Sequence, residues 1–119
     1  MANTIKVTKN LELPYAFTLK ALESFCEEIN APLSDIHHVF SRSVGQFNAA
    51  KSLLYYVVKA GFDDLGEKMP YTKDDIHEWM TGKKTINLLL LNAVVLLAYN
   101  ELMPDFQEDE KEEGEAEKN

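Results

Sequence analysis

From Ile86 to Tyr99 the chain runs through 14 residues of which only Asn87 and Asn92 are polar. No period-two alternation is present and no glycine or proline interrupts the run, so it predicts a helix, extending over about Thr85 to Met103. A helix that is apolar on every side must be covered on more than one side. Two solutions stay open. The helix is central to a bundle, or the domain covers one face and another chain covers the opposite one, drawn from Leu89, Val95, Leu96 and Tyr99. A membrane span needs about 20 predominantly apolar residues, and this stretch falls short, so no membrane partner is expected.

The segment after this helix differs in composition from everything before it. Residues 104–119 hold eight acids against Lys111 and Lys118, a net charge of −6; the whole chain carries −8, which leaves −2 for residues 1–103. Such a composition cannot bury enough apolar area to offset the entropy of ordering. The expected organisation is therefore a single helical domain with a β arm over residues 1–103, followed by a disordered acidic tail over 104–119. A near-neutral body with an acidic tail lacks the basic footprint that a phosphate backbone requires, so no nucleic-acid partner is expected. Cys26 is the only cysteine, too few for a disulfide or a zinc set. The N-terminus, MANTIKVTKN, has no apolar core of the signal-peptide kind. A reduced, cytoplasmic setting is the expectation.

The elements upstream can be placed from pattern and capping. Ile5 and Val7 alternate with Lys6 and Thr8, Lys9-Asn10 offers a turn, and Leu11, Leu13, Tyr15 and Phe17 return at period two, so a hairpin is expected. Pro14 suits an edge strand. Thr18 should cap a helix to Ile29 whose apolar stripe is Leu19, Leu22, Phe25, Cys26 and Ile29. Ser34 should open a short helix burying Ile36, Val39 and Phe40, with Ser41 to Gly45 as a connection. A third helix is expected from Gln46 to Ala60, with Phe47, Ala50, Leu53, Leu54, Val57 and Val58 inward and Gly61 as its left-handed cap. A polar loop follows. Thr72 and Asp75 form a capping-box pattern before a short helix that buries Ile76, Trp79 and Met80 and ends at Thr81-Gly82. The fold class expected is mainly α: about five helices with a short N-terminal β hairpin.

Reactive constellations are absent from this pattern. His37 and His38 are adjacent and diverge by about 100° on a helix, and His77 lacks a second histidine four residues away. No metal and no cofactor are expected. Asp63-Asp64 flank a loop, while Asp74-Asp75 sit in the first turn of a helix where negative charge suits the macrodipole. Cys26 lies on an apolar stripe. No nucleophile elbow or phosphate-binding loop is present, so the expectation is a non-enzymatic protein with no catalytic residues. Binding remains. Tyr55 and Tyr56 are neighbours on a helix whose inward face is already occupied, so at least one ring should project toward solvent or a partner. With Trp79, Leu89, Leu96 and Tyr99 they are the candidate protein-binding residues.

The order of elements resembles a known family. A β arm leads through Phe17-Thr18-Leu19-Lys20-Ala21-Leu22-Glu23 into a helix. An apolar helix ends in Ala60-Gly61-Phe62, and the short helix from Tyr71 to Met80 precedes a final apolar helix. Over about residues 4–103 this is similar to the small tail assembly chaperones of long-tailed bacteriophages and the related prophage and gene-transfer-agent proteins. The resemblance implies a mostly helical fold, no catalysis, self-association, and a bacterial cytoplasm as the site of action. It implies a helical client as well, the tape measure protein, kept soluble until tail tube subunits polymerise around it. The alternative expectation is a small regulatory interaction module whose acidic tail mimics nucleic acid or docks a basic partner. A third is a small enzyme built on Asp63, Asp64 and His77.

Overall fold

The computed structural model describes residues 3–41, 45–81 and 87–102. The alternating N-terminal segment forms an antiparallel hairpin of β1 (Asn3–Thr8) and β2 (Leu11–Tyr15), with Ile5 opposite Leu13 and a register shift between Lys6 and Thr8. Alternation sends Ile5, Val7 and Leu13 into the core and leaves Thr4, Lys6 and Thr8 exposed. A two-stranded sheet is marginal alone in water; this one lies on helices.

Among the described residues five α-helices follow: α1 (Leu19–Ile29), α2 (Ile36–Ser41) after a 3-10 turn at Leu33–Asp35, α3 (Gly45–Asp64), α4 (Lys73–Thr81) and α5 (Leu88–Leu102). The mainly helical fold with an N-terminal hairpin is thus as expected. Thr18 caps α1, its Oγ1 accepting from the Ala21 amide at 3.1 Å, and Asn30 ends it in the left-handed region at φ 55°. Thr72 and Asp75 cap α4 reciprocally. The Asp75 carboxylate accepts from the Thr72 amide at 2.8 Å, and the Thr72 hydroxyl accepts from the Asp75 amide at 3.4 Å.

The long helix α3 is the hub on which α1, α2, α4, α5 and β2 all pack. Its fully buried side chains Leu53, Leu54, Val57 and Val58 join Phe25, Phe40, Ile76, Met80, Val94 and the hairpin's Val7 in one core. Phe25 and Phe40 stack within it at 6.1 Å between ring centres.

Three expectations are corrected. Leu19 is 73% exposed rather than on the buried stripe. The buried centre of α1 is Ala21 and Phe25, and Leu19 lies about 120° round the helix from Phe25. Second, α3 does not stop at Ala60 with Gly61 as its cap: it continues through Phe62 to Asp64. Gly61 is needed there for a different reason. A Cβ on it would lie 2.5 Å from the carbonyl carbon and oxygen of Pro14 and 2.6 Å from the Tyr15 Cα. The absent side chain lets β2 run against the helix backbone, and the Ala16 amide donates to the Val57 carbonyl at 2.8 Å. The left-handed glycine is Gly66, at φ 73°. Around it the Glu67 amide donates to the Phe62 carbonyl at 2.9 Å and the Gly66 amide to the Asp63 carbonyl at 3.0 Å, a Schellman closure.

Third, α5 begins at Leu88 rather than near Thr85 because Asn87 is its N-cap. The Asn87 Oδ1 accepts from the Leu90 amide at 3.2 Å, while its Nδ2 donates to the Trp79 carbonyl at 3.1 Å and its amide to the Met80 carbonyl at 2.6 Å. One residue thus closes the end of α4 and opens α5. The expectations for residues 42–44 of the α2–α3 connection, for Gly82, Thr85, Ile86 and Met103, for the side chains of Ile36 and His37, and for the tail over 104–119 lie outside the described residues. No helix among the described residues is long and apolar enough to cross a membrane.

Candidate protein-binding surfaces

The six candidate residues fall on two surfaces and an aromatic row between helices. On α5, Leu90, Leu91, Val94 and Ala98 are buried. At 100° per residue they span only about 100° of the helix circumference. That arc rests on α3, α4 and β1. The opposite side presents Leu89 at 86% exposure and Leu96 at 62%, two helical turns apart on one strip. Asn92 and Asn100 are exposed on the same strip, with Ala93 and Tyr99 half-buried at its edges. Val95, also weighed for this face, is half-buried and packs against the core. Tyr15 of the hairpin has its phenol pushed above the ordinary value by burial and then by the charge of Glu101 in the last turn of α5.

The second surface joins α1, α3 and α4. Tyr55 and Tyr56 are both half-buried and meet edge to face at 5.1 Å. The Lys73 Nζ stands 5.4 Å from the centre of each ring, a cation–π arrangement on both. The same ammonium pairs with the Glu28 carboxylate, whose other oxygen accepts from the hydroxyl of buried Ser52. Burial pulls the Glu28 pKa upward, but the hydrogen bonds from Lys73 and Ser52, with the charges of Lys73 and Lys51, outweigh it and hold the carboxyl below its ordinary value. Lys73 moves the other way: the Glu28 hydrogen bond raises it despite partial burial. Beside this network lies a cleft of about 660 Å³ whose lining includes Glu28, Asp35, Lys51, Ser52, Tyr55 and Lys73. Its charges balance in sign.

Trp79 belongs to neither open strip. It is half-buried on α4, edge-on to Tyr71 at 5.0 Å, with Tyr71 in turn 6.4 Å from Phe62. This aromatic row packs α4 against the C-terminal part of α3. Tyr55 and Tyr56 are therefore tied to one another and to Lys73, Leu89 and Leu96 share the outer face of α5 with Tyr99 at its edge, and Trp79 stands apart.

The groups of the enzyme alternative are not brought together. His77 lies beside Lys51, with Nζ to Nδ1 at 2.9 Å, and its ring is 6.3 Å from Phe47. Lysine only donates, so that nitrogen is the acceptor. Asp63 and Asp64 are exposed at the far end of α3, about 18 Å further along the axis than Lys51 by helical rise. Among the described residues no group of three or more His, Cys, Asp or Glu is placed to hold a metal ion. Half-buried Cys26 has its thiol pushed up by burial, toward the inert protonated form.

Glu28, Ser52, Lys73 and Asn87 make structural contacts that sequence reasoning does not single out. Ser52 carries a usable signal, a hydroxyl among Ala49, Ala50, Leu53 and Leu54 that must find a partner when buried. Glu28 and Lys73 carry none, being 45 residues apart. No protein-family model, curated protein or solved structure matches the chain. The fold by itself defines an α-helical domain with an N-terminal hairpin and a C-terminal helix that is uncharged on its open side.

Proposed function

We propose that this chain is a non-enzymatic tail assembly chaperone of a long-tailed phage or prophage, acting in the cytoplasm of the bacterial host, that binds a helical client, the tape measure protein, and associates with itself. One observation carries the reading: the outer face of α5, where Leu89 and Leu96 stand 86% and 62% exposed on a helix with no charged residue between Leu88 and Asn100. Scattered exposed leucines are ordinary on protein surfaces. Two of them two turns apart on an uncharged strip supply the spacing by which one amphipathic helix receives another. A long helical client offers that strip repeatedly, so several copies can coat it. The acidic segment over 104–119, with its net charge of −6, adds repulsion that keeps coated complexes apart.

The test is co-sedimentation with a purified helical segment of a phage tape measure protein. Wild type should shift with the client and Leu96→Asp should not, while a chain ending at residue 103 should still bind. Equal binding by Leu96→Asp would show that the α5 face is not the binding surface. Loss of binding on removal of 104–119 alone would favour a tail-driven regulatory module instead.

A further inference from the structure

We propose that the cleft of about 660 Å³ bounded by α1, α2, α3 and α4 is a separate binding site, for a short stretch of peptide with opposite charges at its two ends. No described residue of α5 lines it. Its volume falls within the range of about 300–1,000 Å³ that holds ligands of drug size, room for a few residues rather than a folded partner. The lining carries Glu28 and Asp35 against Lys51 and Lys73. Two of these four are already paired with each other, and Glu28–Lys73 is the only salt bridge among the described residues. Asp35 and Lys51 are left. The Asp35 carboxylate is exposed. The Lys51 ammonium has its hydrogen bond to a neutral ring nitrogen of His77 at 2.9 Å, which satisfies one proton and none of its charge. That charge also reaches Glu28, but the Glu28 oxygens are already bonded to Lys73 and Ser52.

The two unmatched charges select the ligand by elimination. A phosphate or nucleotide would bring its charge against Asp35 and Glu28, and a polyamine would meet Lys51 and Lys73. A purely apolar ligand would strip water from Asp35 and Lys51 and put nothing in its place. A ligand with one charge of each sign satisfies both. Its cationic end belongs at Asp35, where the C-terminal end of α1 also opens on the cleft with no basic residue in its last turn, because the macrodipole there favours a cation. Its anionic end belongs at Lys51. Between them the cleft offers what a peptide needs. The Asn30 and Asn48 carboxamides each donate and accept, as a peptide group does, and Asn48 stands one turn before Lys51 on α3. Half-buried Ile29 and Val39 offer an apolar wall to a side chain. The two charges can come from the termini of a free oligopeptide, or from a basic and an acidic side chain within a longer chain.

The experiment titrates the full chain, labelled with nitrogen-15, with three tetrapeptides sharing an alanine–leucine core. One has free termini, one is acetylated and amidated, and one is capped in the same way but begins with lysine and ends with glutamate. Amide signals around Asn30, Asp35, Asn48 and Lys51 should move with at least one of the two charged peptides. A response to free termini alone assigns the site to oligopeptides, and a response to the capped lysine–glutamate peptide assigns it to a segment within a longer chain. The capped uncharged peptide should bind at least about 10-fold more weakly. Asp35→Asn and Lys51→Gln should each weaken binding about 5- to 30-fold, with unchanged circular dichroism. The loss from Asp35→Asn should vanish for a ligand lacking only its cationic group, and that from Lys51→Gln for one lacking only its anionic group, which a structural effect would not reproduce. Equal binding by wild type and both variants overturns the proposal, as does a cleft that no charged peptide perturbs at millimolar concentration or that inorganic phosphate perturbs instead. Leu96→Asp should bind the peptides as wild type does, so the cleft and the α5 face stand or fall separately.

Discussion

Two helices of this protein are rich in apolar residues, and the fold treats them in opposite ways. On α3 the buried positions Ala49, Ala50, Ser52, Leu53, Leu54, Val57, Val58, Ala60 and Gly61 cover roughly two-thirds of the circumference. On α5 the buried arc is less than half as wide, although its sequence is the more apolar of the two. Around α3 the hairpin and the other helices find their seat, so most of its aliphatic content is used in folding. Among the described residues α5 is seated on one side, and Leu89 and Leu96 on the other side contribute little to the monomer. Those exposed leucines are the surface that the proposed function assigns to association.

Substitutions on the two helices should behave as differently as their burial. The largest effects belong to α3. Leu54→Ala, at a site with no exposure, should destabilise the domain by about 2–5 kcal/mol in chemical denaturation. Gly61→Ala should cost about 2 kcal/mol or more despite alanine's better helix propensity, because the new methyl group meets backbone of Pro14 and Tyr15 rather than a side chain able to move. A Gly61→Ala variant as stable as wild type would contradict the close seating of β2 on α3.

At the joint between α4 and α5, Asn87→Ala removes a cap and should cost about 1 kcal/mol in the same measurement. Glu28→Gln should cost less than about 1 kcal/mol at neutral pH, since the Glu28–Lys73 pair is partly solvated. Its signature is the pH dependence. A carboxyl held below its ordinary pKa stabilises the fold above that value and ceases to do so as the pH falls through its folded value. The gap between wild type and Glu28→Gln should therefore close on acidification below about pH 4. Lys73, shifted upward, contributes at all pH below its ordinary value and loses that contribution only in strong alkali. A gap that widens in acid would contradict the pairing of Glu28 with Lys73. Smallest of all, Leu96→Ala should change monomer stability by no more than about 0.5 kcal/mol.

Much of the contrast between α3 and α5 is legible in the sequence, and the remainder is not for physical reasons. Alternation in Ile5–Val7 and Leu11–Leu13 and the side-chain caps Thr18 and Thr72 are local signals, so the hairpin and the starts of α1 and α4 can be read directly. Gly61 misleads because two different needs select glycine, a left-handed backbone and a close approach by another chain segment. Only the second depends on β2, 46 residues earlier in the chain. Asn87 reads as a flaw in an apolar run, yet it is the cap that begins α5. The excess of apolar surface on α5 is visible as a sum, but which residues it falls on is not. The buried arc is set by where α3, α4 and β1 meet the helix. That meeting leaves Leu89 and Leu96 outside, draws Val95 and Tyr99 partly in, and commits Trp79 to a row with Tyr71.

Whether the unused face of α5 is a surface for association can be read from sedimentation velocity of the purified chain beside its Leu96→Asp variant. Wild type should show a concentration-dependent larger species that the variant lacks, with both equally helical and equally stable as monomers. Identical profiles for the two proteins at every concentration, with and without a helical client, would mean that the exposed leucines of α5 bind nothing.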